Sequence, residues 1–217
     1  MTIGWYEIVL KDLPPGSTLL DVGIGTAGAL IACESLLRAK RLRVVGMDYD
    51  DQYIRQAEIA IQKADLTDCI QVVAMDLYDL QTEKGKLPPK LLPPLSDARG
   101  SNDRLFDAVY FSGSFSLLPD WTAALMIAAS ALSPSDGKIY ITQTYQKQSS
   151  WFWSWWKPWL RYITTIDFGQ LVTANRIQEF YRDHANGNGW NLLWHEKIPG
   201  NVDNPWQAAY GTCLQVN

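Results

Sequence analysis

The chain has 217 residues, 47% of them hydrophobic and 19% charged, with a formal charge of -4 and a pI near 5.2. That is enough apolar material for one sizeable core and implies a single domain spanning 1–217, while the acidic balance argues against a general nucleic-acid binder, which would present a basic face. Cys33, Cys69 and Cys213 are odd in number and widely spaced, which suits neither a disulfide framework nor a zinc site.

The first residues, MTIGWYEIVL, have no basic start and no long apolar run, so neither a signal peptide nor a membrane span is expected there and a cytoplasmic protein is. An apolar strand is predicted over 18–22, running directly into Gly23, Gly25 and Gly28. A helix over 27–39 follows, apolar at Leu30, Ile31, Leu36 and Leu37, and Arg38, Lys40, Arg41 and Arg43 crowd its end, where cations complement the helix dipole. The second strand, 42–47, ends in Asp48. Asp50 or Asp51 then starts a helix over 51–64. Further strands are predicted at 70–74, 108–111 and 138–142, with a helix over 121–132 and a turn over 133–137. Between the third and fourth strands, 78–104 reads as a long inserted loop with Pro88, Pro89, Pro93 and Pro94. Thr173 can cap a helix over 174–184 that the NGNG run at 186–189 ends, and strands at 190–196 and 208–216 complete the set. Such alternation makes a doubly wound α/β fold, a mostly parallel seven-stranded sheet with helices on both faces and ligands at the carboxyl ends of its strands.

The glycine loop carries the chemistry. G-x-G-x-x-G spacing lets the backbone turn sharply, brings a ligand against bare Cα atoms, and packs the next helix close to its strand. Asp48, about twenty residues beyond the loop, is placed to hold ribose hydroxyls, as in a dinucleotide site or in a site for S-adenosylmethionine. Asp21 separates the two, because a carboxylate just ahead of the loop repels a pyrophosphate and suits the cationic methionine end of the sulfonium cofactor. With D-x-G-x-G-x-x-G at Asp21 to Gly28, Asp48 in GMDYDD, Asp76 in VVAMDLYDL, FDAVYFSGSF from Phe106 and LSPSDGKIYI from Leu132, the chain resembles the class I, Rossmann-like S-adenosylmethionine-dependent methyltransferases over 18–141. The resemblance implies an antiparallel last strand and a cofactor held by Asp21, Gly23, Gly25, Asp48, Tyr49, Asp76, Leu77, Ser112 and Gly113. A nicotinamide-dependent oxidoreductase and a non-catalytic partner subunit that keeps the fold are the rival readings.

In SSWFWSWWKPWLRYITTIDFG, at 149–169, five tryptophans crowd around Phe152 and Pro158 interrupts any helix. The Trp-rich stretch 144–172 is expected to act as a lid, its tryptophans either filling space over the sheet edge or, as Trp151, Trp155 and Trp159 with Tyr145, lining a pocket for a small apolar or aromatic acceptor. Trp beside Lys157 and Arg161 also suits a peripheral membrane contact or a dimer interface. The short N-terminal stretch, where relatives of this kind carry covering helices, shifts that task to the tryptophans. Asp167-Phe168-Gly169 lacks the other signatures of a kinase. Methyl transfer needs a base only when the acceptor must lose a proton, so Tyr145, Asp167, His195 and Asp120 are candidates by position alone, and no metal site is expected from His184 and His195.

Overall fold

The computed structural model describes residues 3–80, 106–133, 136–146, 179–183 and 190–216. Its strands are β1 (Thr18–Val22), β2 (Arg43–Asp48), β3 (Ile70–Ala74), β4 (Ala108–Ser112), β5 (Lys138–Gln146), β6 (Trp190–Lys197) and β7 (Gln207–Val216). Its named helices are α1 (Ile3–Asp12), α2 (Gly28–Ile31), α3 (Glu34–Lys40), α4 (Asp51–Lys63) and α5 (Trp121–Ser130), and a short helical piece covers 179–183.

The strands form one seven-stranded sheet in the order β3-β2-β1-β4-β5-β7-β6. β7 pairs antiparallel with both neighbours and the remaining pairings are parallel, as the family resemblance implies. β1 lies inside the sheet, between β2 and β4, and its Leu19, Leu20 and Val22 are apolar on both pleat faces, the pattern of a strand covered on both sides. Leu20 and Val22 pack with Val109, Phe111 and Ile141 against Ala124, Leu125 and Ala128 of α5. Leu19 packs on the other face with Val44, Tyr110 and Tyr140 against α1, α3 and α4. Asp21 points to this second face, two residues from Leu19. On α4, Ile54, Ala57 and Ile61 form the buried stripe, and each Ile contributes roughly 1.5 to 3 kcal/mol.

Several elements differ from expectation. The N-terminal stretch is a ten-residue helix, α1, that buries Trp5, Tyr6, Val9 and Leu10. Its carboxyl end is pinned twice. The Lys40 ammonium donates to the carbonyls of Leu10, Lys11 and Leu13 at 3.0, 2.5 and 2.6 Å, and Asp12 accepts from Lys138 and Tyr140 at 2.9 and 2.5 Å. The helix expected over 27–39 is two pieces, because buried Cys33 interrupts it and its carbonyl takes the amides of both Leu36 and Leu37. Apolar periodicity sees one continuous face there and is blind to the break. β5 runs four residues past its expected end, carried by its pairing with β7 as far as Gln146 with Gln207. α5 stops at Ser130, before Leu132. Leu77–Asp79, at the head of the expected loop, is a 3-10 turn anchored by buried Leu77 and Leu80. The rest of that loop, the cap at Thr173 and the tryptophan segment lie outside the described residues. No described helix is long and apolar enough to cross a membrane.

Candidate functional site

The carboxyl ends of β1, β2 and β4 converge on the turn after Val22. Gly23 and Gly25 take positive φ, 80° and 58°, and so does Ala27, at 59°, where a Cβ is strained. The Gly23 and Ile24 amides donate to the Met47 carbonyl at 2.8 and 3.2 Å, tying the loop to β2. A Cβ on Gly25 would meet nothing within 4 Å, so the loop is open there. Gly23 is closed, since its Cβ would lie 2.6 Å from that of Ser114. Gly28 carries none of the expected close packing, because its nearest neighbour would be the Thr26 hydroxyl at 3.8 Å. That constraint falls on Gly46 instead, where a Cβ would collide with Ile24. A glycine inside an apolar strand was the available signal.

Asp48 is 7% exposed and ties two loops together. Its Oδ2 accepts the Gly25 amide and its Oδ1 the Asp50 amide, both at 3.0 Å. The next residue, Tyr49, is 80% exposed. The Met75 amide donates to the Asp48 carbonyl at 2.9 Å, which brings Asp76 to the same edge. Asp76 is exposed and caps the 3-10 turn, its Oδ1 accepting the Tyr78 amide at 2.9 Å, while Leu77 is buried.

Asp21 is fully buried. Its Oδ2 accepts the Tyr6 hydroxyl at 2.7 Å, and its Oδ1 has no hydrogen-bond partner among the described residues. Burial pushes its carboxyl up to about 7; the Tyr6 hydrogen bond pulls it down and the charge of Asp48 raises it. Tyr6 meets Tyr110 edge-on at 5.1 Å, and Tyr110 shares a 2.7 Å hydrogen bond with Thr142. Beside it, Trp5 covers Gly113, whose Cβ would lie 3.1 Å from the indole; Gly113 has φ 75° and follows half-buried Ser112. α1 is therefore a wall of the site. Sequence reasoning missed Tyr6 and Trp5, although Tyr6, Val9, Leu10 and Leu13 have the i, i+3, i+4, i+7 spacing of a buried helix face.

The candidate bases are dispersed. Asp120 caps α5, accepting the Ala123 amide at 2.9 Å. Tyr145 is 1% exposed, its hydroxyl 3.3 Å from that of Tyr181. His195 stacks on Tyr210 at 5.0 Å with Nδ1 2.8 Å from the Thr212 hydroxyl, and burial lowers its pKa, which keeps it neutral at pH 7. It lies on β6, four strands from β1, so about 19 Å of sheet separates it from the glycine loop. Asp167, Trp151, Trp155 and Trp159 lie outside the described residues. Among the described residues no cluster of three His, Cys, Asp or Glu could hold a metal ion. Burial pushes the Cys33 and Cys213 thiols up to about 11 and 12, which makes them poor nucleophiles.

These features favour a cationic ligand over a pyrophosphate. Three of the loop's amides are already committed to Met47 and Asp48, and α2 is a single turn with little dipole to offer an anion.

The fold has many solved counterparts. The structure of MccD aligns with a TM-score of 0.67 at 13% identity, covering 100% of this chain and 96% of that one. A methyltransferase from Geobacter sulfurreducens in complex with S-adenosyl-L-homocysteine aligns at 0.64 and 12%, covering 99% and 90%. The mycolic acid cyclopropane synthase CmaA1, complexed with S-adenosylhomocysteine, aligns at 0.67 and 15%, covering 98% and 83%. No curated protein matches the sequence. A family model described as a methyltransferase domain matches residues 5–184. The chain belongs to that family, and its sheet order is that of the class I, Rossmann-like methyltransferases.

Proposed function

We propose that this protein binds S-adenosylmethionine across the open turn at Gly25 and transfers its methyl group to a small-molecule acceptor. The observation that carries the reading is the pair of carboxylates at the carboxyl ends of neighbouring strands, Asp21 one residue before the end of β1 and Asp48 ending β2 and bonded to the amide of Gly25, a glycine with free space around it. The solved counterparts that hold S-adenosylhomocysteine support it. When bound, the cofactor would supply an electrophilic methyl on a sulfonium sulfur.

The residues divide the task of holding it. Asp48 offers charged acceptors to ribose hydroxyls, Tyr49 a ring face, and Asp76 with the Leu77 amide an edge for the adenine. Asp21 places negative charge behind the cationic methionine end, and Ser112 and Gly113 line that side, with Trp5 excluding water behind Gly113. In-line displacement depends mainly on alignment and dryness, and well-oriented reactions gain on the order of 7 to 11 kcal/mol from alignment. The tryptophan-rich composition of 149–169 favours an apolar or aromatic acceptor. Tyr145 lies at the end of β5 immediately before that segment.

The experiment is thermal denaturation with S-adenosylhomocysteine and with NAD. Ligand at one hundred times its dissociation constant stabilises by about 2.7 kcal/mol, so Tm should rise by about 5 to 11 °C with the former. A rise with NAD alone overturns the assignment in favour of a nicotinamide enzyme.

A further inference from the structure

The Tyr6–Asp21 pair is an unusual feature to find inside a core. A carboxylate with no exposed surface has one hydrogen bond, from a residue fifteen positions earlier, and one oxygen with no partner among the described residues. Such a group costs stability in the unliganded protein. The helix that supplies the hydroxyl is clamped at its far end by Lys40 on three carbonyls and by Asp12 on Lys138 and Tyr140. Its near end presses Trp5 onto Gly113. Tyr6 is thus held where the Asp21 carboxylate must meet it.

We propose that Tyr6 is a positioning residue of the cofactor site, acting through Asp21. Its hydroxyl fixes one oxygen of the carboxylate and favours the charged form that a cationic ligand needs, so cofactor affinity is linked to proton release from Asp21. The inference rests on the cofactor reading above.

The groups facing Asp21 leave it nearly alone in this role. From α1 comes the neutral Tyr6 hydroxyl, from β4 the Tyr110 hydroxyl, and from β2 the like charge of Asp48; Cys33, between α2 and α3, faces Tyr110. No described cation compensates Asp21. A sulfonium or ammonium brought to the neighbouring turn would do so across a dry gap, where charges interact strongly. With the carboxyl near 7, the free protein holds a proton on Asp21 at mildly acidic pH. Binding of a cation expels that proton, so affinity rises with pH until Asp21 is already ionised. Removing the Tyr6 hydroxyl removes a donor to the charged form, and the rise moves to higher pH.

The test is calorimetric titration of the whole protein with S-adenosylmethionine between pH 5.5 and 7.5, in two buffers of different ionisation heat. The parent should release a large fraction of one proton per ligand at pH 6, and its affinity should rise at least fivefold across the range. Asp21→Asn should bind with a flat profile, and Tyr6→Phe should shift the midpoint upward while binding more weakly at pH 7. Parent protein that binds the cofactor with no proton release, or Tyr6→Phe with an unmoved midpoint, overturns the inference and leaves the cofactor site intact. Parent protein that binds no cofactor at any pH overturns the cofactor reading itself. Should a variant fail to fold, proton release by the parent still decides.

Discussion

The Oδ2 of Asp48 lies 3.0 Å from the Gly25 amide, so the carboxylate that ends β2 also shapes the glycine turn after β1. Two losses therefore follow Asp48→Ala: the ribose acceptors disappear, and the turn loses the group that holds it to β2. Affinity for S-adenosylhomocysteine should fall by about 1.5 to 3 kcal/mol, more than tenfold. Calorimetry with unchanged affinity would remove Asp48 from the site.

Asp21 makes the unliganded protein's stability fall with rising pH. Its carboxyl is near 7 when folded, above its value in the unfolded chain, so between about pH 4 and 7 the native state holds a proton that the unfolded state has lost. The Asp21 contribution is fully present below the unfolded value and lost as pH rises through the folded one. At full effect it is on the order of 4 kcal/mol, about 1.36 kcal/mol for each of the roughly three pH units between the unfolded and folded values. Asp21→Asn should therefore melt higher than the parent at pH 7.5 without cofactor, with the gap closing toward pH 4. A gap independent of pH would mean that Asp21 does not titrate in this window.

Asp76 has a structural task in the free protein, the cap on Tyr78. Asn keeps a side-chain acceptor and Ala does not. Asp76→Asn should leave Tm within a degree or two while weakening cofactor binding through lost charge. Asp76→Ala should also cost about 1 kcal/mol of stability, or roughly 2 to 4 °C. Equal cofactor affinity in the parent and the Asn variant would confine Asp76 to capping.

The parts legible in the sequence are those with local causes. β1 and β2 are covered on both faces, so apart from Asp21 and the terminal Asp48 they read as mostly apolar runs, and the glycines after Val22 mark a turn whose positive φ values only they adopt freely. Asp50 caps α4 through a bond to Gln52 two residues away, a contact that spacing predicts. What escaped depends on distant partners. Tyr6 gains meaning only when β1 and α1 pack, and Gly46 only because Ile24 leans onto β2. The length of β5 is set by a partner strand some sixty residues further along the chain.

The tryptophan segment is tested by function. If Trp155 and Trp159 contact the acceptor, replacing both by alanine leaves S-adenosylhomocysteine affinity within about threefold, roughly 0.7 kcal/mol, while turnover of an identified acceptor falls much further. Loss of liposome binding with turnover intact would assign the segment to a membrane surface, and self-association lost on mutation would assign it to a dimer.

Lys40 joins the stability of α1 to the site. Its ammonium supplies donors to Leu10, Lys11 and Leu13, carbonyls left without helical partners at the end of α1, and a cation there also complements the helix dipole. Lys40→Met keeps the apolar stem and removes the charge. Because the side chain is only half-buried, the loss should be about 1 to 2 kcal/mol, or about 2 to 8 °C in Tm. The amides of α1 should exchange faster with deuterium, and cofactor affinity should drop, since Trp5 and Tyr6 ride on the same helix. Faster exchange in α1 with unchanged affinity would show that the cofactor site does not depend on this helix, and an unchanged Tm would show that the three contacts contribute nothing.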